Sequence, residues 1–157
     1  MNKILNHIKI NELISTSGQP KIEELELIAN EGFEVVINLA VSTTSNALEN
    51  EDKIVSSLNM SYIHIPVDFE NPKISDLKLF LNILQALGAN KVWIHCAKNY
   101  RVSAFMYVYH KYILHTPFEE IDLSIFDKWQ PSLIWQELMK VSIEDLSKAC
   151  SFAHFID

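Results

Sequence analysis

The sequence lacks the usual staples of a small fold. It contains two cysteines in 157 residues, Cys96 and Cys150, which is too few for a disulfide framework. Glycine occurs three times and proline five, so there is no flexible linker, collagen-like repeat or low-complexity run at which to divide the chain. Positive charge is scarce. Thirteen Lys and Arg against twenty Asp and Glu leave a net charge of −7, which excludes the basic surface that general nucleic-acid binding needs and makes any phosphate site a local feature. Long apolar runs are missing too: Asn2, Lys3, Asn6, His7 and Lys9 interrupt the opening segment, leaving neither an export signal nor a membrane span. No cluster of His, Cys, Asp and Glu has metal-ligand spacing, and nothing in the sequence calls for a cofactor. Together these absences predict a cytoplasmic, reduced protein with no metal.

A composition of 48% hydrophobic and 21% charged residues suits one globular domain, taken as residues 1–157. His7 to Ile14 reads as a first strand, followed by the turn Ser17-Gly18-Gln19-Pro20, a helix with Ile22, Leu25, Ile28 and Ala29 on one face, and a buried strand Val35 to Leu39. Asn46 and Glu49 have capping-box spacing ahead of a second helix running to about Asn59, and Ser61 to Pro66 is the next strand. Ser75 can cap a third helix ending at Gly88, and Lys91 to His95 is the last strand. A long helix then starts near Tyr100, with further helices over Glu119 to Phe126 and Ser132 to Val141 and with Trp129 and Trp135 filling the core. Strands alternating with helices predict an α/β fold, a mostly parallel sheet of four or five strands flanked by helices, with function at the carboxyl ends of the strands.

That rule directs attention to Lys91–Arg101, where a lone Cys96 stands between a buried strand and a helix. Unpaired amides at a helix start carry positive partial charge, which binds anions and favours a thiolate over a thiol. Arg101, in the first turn, can grip two phosphate oxygens with one guanidinium. The loop has no glycine, so Asn99, of a residue type that tolerates the left-handed region, is expected at positive φ.

His95, Cys96 and Arg101 resemble the signature of the cysteine-dependent protein tyrosine and dual-specificity phosphatases. Ser17-Gly18-Gln19-Pro20, Val36-Ile37-Asn38-Leu39, Ile65-Pro66-Val67-Asp68 and Arg101-Val102-Ser103-Ala104-Phe105 resemble segments of bacterial phosphatase-like domains, so the likeness covers most of residues 10–140. The resemblance implies a phosphomonoester hydrolase acting on a phosphorylated protein or a small phosphomonoester, with phosphate, sulfate or vanadate as site ligands. It makes Cys96 the nucleophile and Asp68 the acid that protonates the leaving oxygen. Phosphate binding falls to Ala97, Lys98, Asn99, Tyr100 and Arg101, with His95 ordering the loop and Ser103 bonding the sulfur as the phosphocysteine breaks down. Four residues separate Cys96 from Arg101, one fewer than the family's usual loop.

Plainer readings stand beside these. Cys96 can be a small apolar core residue, Arg101 a helix-surface cation, Asp68 a loop cap with Glu70 as rival acid, and His64 a structural residue. Cys150 is read as structural. The short loop also resembles that of rhodanese-like sulfurtransferases, and a phosphate-binding module without turnover is a third possibility.

Overall fold

The computed structural model describes residues 4–149, so Cys150 lies outside it. In chain order the elements are β1 (Ile8–Lys9), β2 (Ile14–Ser17), α1 (Ile22–Asn30), β3 (Val35–Asn38), α2 (Glu51–Ser57), β4 (Ser61–His64), α3 (Ile74–Ala86), β5 (Val92–His95), α4 (Tyr100–Tyr109), α5 (Leu133–Met139) and α6 (Ile143–Lys148). Two compact units are present: Met1–Pro66 with Ala89–Val102, and Val67–Gly88 with Ser103–Asp157.

The first unit holds a five-stranded sheet in the order β1-β2-β5-β3-β4, antiparallel only between β1 and β2. This is the expected α/β class. Strands β2, β3 and β5 are buried along their whole length, which is why Val35-Val36-Ile37 and Val92-Trp93-Ile94 are continuous apolar runs rather than alternating ones. Edge strand β4 is partly exposed. Leu25 and Ile28 of α1 and Val55 of α2 join Phe33, Val36, Met60 and Trp93 in one apolar cluster. Phe33 meets the Trp93 ring edge-on at 5.1 Å, and His7 stacks on it at 4.9 Å.

Several expected boundaries are corrected. The strand read over His7–Ile14 is two strands, because the Asn11 Oδ1 accepts from the amides of Leu13 and Ile14 at 2.8 and 2.9 Å and turns the chain. Asn46 caps no helix: α2 starts at Glu51 behind Asn50 at φ 58°, and the Asn46 amide donates instead to the Ala97 carbonyl at 3.0 Å. Ser75 lies inside the first turn of α3, whose N-cap position is Lys73.

In the second unit, Phe80 of α3, Phe105 of α4 and Trp135 of α5 form a ring cluster, with centroids 5.5 Å apart for Phe80–Phe105 and 6.1 Å for Phe105–Trp135. Trp129 and Trp135 are buried as expected, and the Trp135 indole donates to the Phe69 carbonyl at 2.8 Å. The long helix expected from Tyr100 widens into a π-turn over His110–Leu114. There the His110 carbonyl accepts from the Thr116 amide at 3.0 Å, and the His110 Nδ1 meets the Thr116 hydroxyl at 2.9 Å. The helix expected over Glu119–Phe126 is instead two 3₁₀ turns, Phe118–Glu120 and Ser124–Asp127. Between them the Asp122 carboxylate takes the Ser124 amide at 2.9 Å, a local bond that competes with helix continuation.

Candidate active site

Strand β5 lies between β2 and β3, and the register places Ser17 and Asn38 on either side of His95 at the carboxyl edge of the sheet. The chain leaving β5 therefore emerges at mid-sheet and passes through Cys96 into α4. Cys96 is 1% exposed, and its amide donates to the Ser17 carbonyl at 3.4 Å.

The next three carbonyls are each held from outside the loop. The Cys96 oxygen faces His95 Nδ1 at 3.1 Å. The Ala97 oxygen accepts from the Gln19 amide at 3.1 Å and from Asn46 Nδ2 at 3.0 Å, and the Lys98 oxygen accepts from Asn6 Nδ2 at 2.9 Å. A planar trans peptide sets its N–H opposite its C=O, so tethering these oxygens turns the amides of Ala97, Lys98 and Asn99 the other way. Gly18 permits the close approach on one flank: a Cβ there would lie 2.7 Å from the Ala97 oxygen and 2.9 Å from a Leu5 methyl.

Asn99 is wholly buried at φ 68°, in the left-handed region expected for it. Its side-chain nitrogen donates to the Asn6 carbonyl at 2.8 Å and to the Thr16 hydroxyl at 3.0 Å, pinning the loop to β2. Arg101, the second residue of α4, is 5% exposed, which excludes the helix-surface alternative. Ala97 and Tyr100 are half-buried and Lys98 is exposed.

Beneath the loop lies a polar cluster that the sequence reading missed. His95, fully buried, places Nε2 3.1 Å from the Glu51 carboxylate. Glu51 is itself buried and also accepts from Gln19 Nε2 and, at 3.2 Å, from Asn38 Nδ2. Asn38 reaches the Tyr62 hydroxyl at 2.9 Å. Burial pushes the Glu51 carboxyl up, but hydrogen bonding and charge from His95, with smaller contributions from Gln19 and Tyr62, hold it below its ordinary value. Burial, with the Glu51 charge adding to it, pushes the Tyr62 phenol well above its ordinary value. Gln19 and Asn38 stood in segments that carried the family resemblance, whereas Glu51 gave no sequence signal, because an acid in the first turn of a helix is commonplace.

Asp68 and Ser103 belong to the second unit. Asp68 is exposed, and its carboxylate accepts the Glu70 amide at 2.9 Å, so the loop-capping role read for it is present. Glu70 is exposed, and Ser103 is half-buried on α4. His64 Nε2 lies 2.6 Å from the Ala40 carbonyl, a structural contact.

The fold and the Cys96–Arg101 loop define a cysteine-phosphatase-like α/β protein. Residues 6–130 match the family described as DSP-PTPase phosphatase fused to NAD+ kinase, and the chain belongs to that family. Among solved structures it is similar to a DUF442 protein of Shewanella putrefaciens CN-32 whose phosphatase assignment is provisional, at 29% identity and a TM-score of 0.82 over 88% of this chain and 91% of that one. It is also similar to TpbA of P. aeruginosa, at 14% identity and a TM-score of 0.70 over 90% and 88% of the two chains. The catalytic core of the PP-IP phosphatase SIW14 of S. cerevisiae gives 15% identity and a TM-score of 0.71 over 98% and 93%. The likeness to TpbA and SIW14 concerns the fold. No curated protein matches the sequence significantly. Among the described residues, no helix is long and apolar enough to cross a membrane.

Proposed function

We propose that the chain is a cysteine-dependent phosphomonoesterase working through a phosphocysteine. The observation that carries this reading is the tethering of the Cys96, Ala97 and Lys98 carbonyls by His95, Gln19, Asn46 and Asn6, which turns the intervening amides of Ala97 and Lys98 away from those partners, with a thiol at one end of the loop and a buried guanidinium at the other.

In the proposed reaction the Cys96 sulfur attacks phosphorus, and the bond from phosphorus to the leaving oxygen breaks. The amides of Ala97, Lys98, Asn99, Tyr100 and Arg101, together with the Arg101 guanidinium, hold the non-bridging oxygens as charge redistributes. Asp68 gives its proton to the leaving oxygen. It then takes one from the water that displaces sulfur and releases inorganic phosphate, while Ser103 hydrogen-bonds the departing thiolate. The roles of Asp68 and Ser103 rest on their places in the chain and on the family resemblance, and Glu70 is the rival acid. We take residues 1–157 as the working unit, since the family match draws on residues of both compact units. A TpbA variant has been solved with phosphotyrosine and the SIW14 core with citrate, which supports a phosphorylated protein or a small phosphomonoester as substrate here. A lone catalytic thiol suits the cytoplasm, where it stays reduced.

Hydrolysis of an aryl phosphate by the wild type, Cys96→Ser and Asp68→Asn, with vanadate as inhibitor, tests the proposal. Turnover that vanadate blocks and Cys96→Ser abolishes is expected. Wild-type turnover by Cys96→Ser, or sulfur transfer from thiosulfate to cyanide with no phosphatase activity, overturns it. Family membership favours phosphoryl over sulfur transfer.

A further inference from the structure

The buried carboxylate of Glu51 has no part in the chemistry just described, yet three elements converge on it: Gln19 from the turn after β2, Asn38 from β3 and His95 from β5. A buried carboxylate is tolerated only where hydrogen bonds and an opposite charge offset its desolvation, and Glu51 has hydrogen-bond donors in Gln19 and Asn38 and an ionisable ring in His95. We propose that Glu51 is a positioning residue whose carboxylate keeps the His95 ring doubly protonated, so that the imidazolium holds the Cys96 carbonyl turned out of the anion loop.

The geometry of the ring carries this inference. Nε2 of His95 faces the Glu51 carboxylate at 3.1 Å, and Nδ1 faces the Cys96 carbonyl at 3.1 Å. The carbonyl can only accept, and the carboxylate in its ionised form likewise only accepts. A neutral imidazole has one N–H and one lone pair, so in either tautomer a lone pair would point at an oxygen. With His95 fully buried, exposure to solvent offers no relief, and only the imidazolium donates on both sides. Glu51 supplies the matching negative charge across the 3.1 Å contact.

Two consequences reach the loop. The first is directional: fixing the Cys96 carbonyl fixes the peptide plane that carries the Ala97 amide, the first donor beyond the nucleophile. The second is electrostatic: a positive charge sits one residue from Cys96, where it favours both a thiolate and a bound phosphate dianion. The other ionisable groups around the pair are the Tyr62 phenol on β4, Cys96 itself, and Glu49, Asp52 and His64. These last three line, with Glu51 and Tyr62, a polar cavity of about 450 Å³.

The effect on turnover rests on the phosphatase reading, but the protonation state of His95 does not, so the test reads both. In the 157-residue chain, ¹⁵N NMR of the His95 ring at pH 7 is expected to show both nitrogens protonated, and Glu51→Gln is expected to lose one of those protons. In parallel, the pH profile of Cys96 alkylation by iodoacetamide should move to higher pH in Glu51→Gln. The kcat for an aryl phosphate should fall by roughly 10- to 100-fold with a smaller change in KM, and Glu51→Asp should restore part of each loss. A neutral His95 ring in the wild type at pH 7 overturns the inference without needing any variant to fold, as does a folded Glu51→Gln protein whose alkylation profile is unmoved. A doubly protonated ring in a wild type that hydrolyses no phosphate ester sustains the inference and removes the phosphatase reading instead.

Discussion

At Asn99 two demands meet that alanine cannot satisfy: a left-handed backbone at φ 68°, and a side-chain nitrogen held by the Asn6 carbonyl and the Thr16 hydroxyl. Asn99→Ala should cost about 3 kcal/mol in urea denaturation, with roughly 1 kcal/mol from the backbone and about 1 kcal/mol from each hydrogen bond. Asn99→Gly keeps the backbone freedom and should cost about 2 kcal/mol; equal losses in the two variants would remove the backbone contribution. Arg101→Lys keeps the charge but loses the planar fork, and kcat/KM for an aryl phosphate should fall by roughly 10²–10³-fold. The positive φ of Asn99 was legible in the sequence because the loop offers no glycine and asparagine is the residue type most tolerant of that region. Glu51 was not, because a chain read in one dimension does not show that Gln19, Asn38 and His95 arrive at one carboxylate.

Among the elements, those set by burial were readable and those set by local side-chain bonds were not. Strands β3 and β5 stand close to where their apolar runs put them, since such runs serve as sheet centre in a parallel fold. The errors cluster where one polar side chain redirects the backbone: Asn11 splitting the first strand, Asn46 serving the loop rather than α2, and Asp122 breaking the helix expected at Glu119–Phe126. Helix α2 itself predicts an acid limb of stability. The Glu51 carboxyl is held below its ordinary 4.5, so the unfolded chain binds the proton more readily. The stabilisation is complete above that pH and is lost as pH falls through the lower folded value. Urea midpoints of the wild type should drop over this window, and Glu51→Gln should lack the drop. The π-turn adds a step at higher pH. Burial lowers His110 below its ordinary 6.5, so stability declines as pH falls below that value, and His110→Gln should flatten this part of the curve.

For the molecule as a whole, the α/β class and the Cys96 loop at the carboxyl end of the last strand follow from the alternation of apolar strands with helices, and the family match over residues 6–130 agrees; the central place of β5 in the sheet came from the structure. The acid's identity was less legible. Asp68 is fixed in a local turn through its bond to the Glu70 amide, and sequence proximity alone does not rank it above Glu70. Asp68→Asn should lower kcat for a poor leaving group by roughly 10²–10⁴-fold and leave a good leaving group less affected, whereas wild-type kcat in Asp68→Asn together with that loss in Glu70→Gln would move the role to Glu70. The most direct measurement is acid quenching during turnover of an aryl phosphate, followed by mass spectrometry of the peptide carrying residue 96. Phosphate bound through the sulfur of Cys96, appearing within the first turnover and decaying as inorganic phosphate is released, is the predicted result; steady turnover with that peptide unmodified throughout would contradict the account.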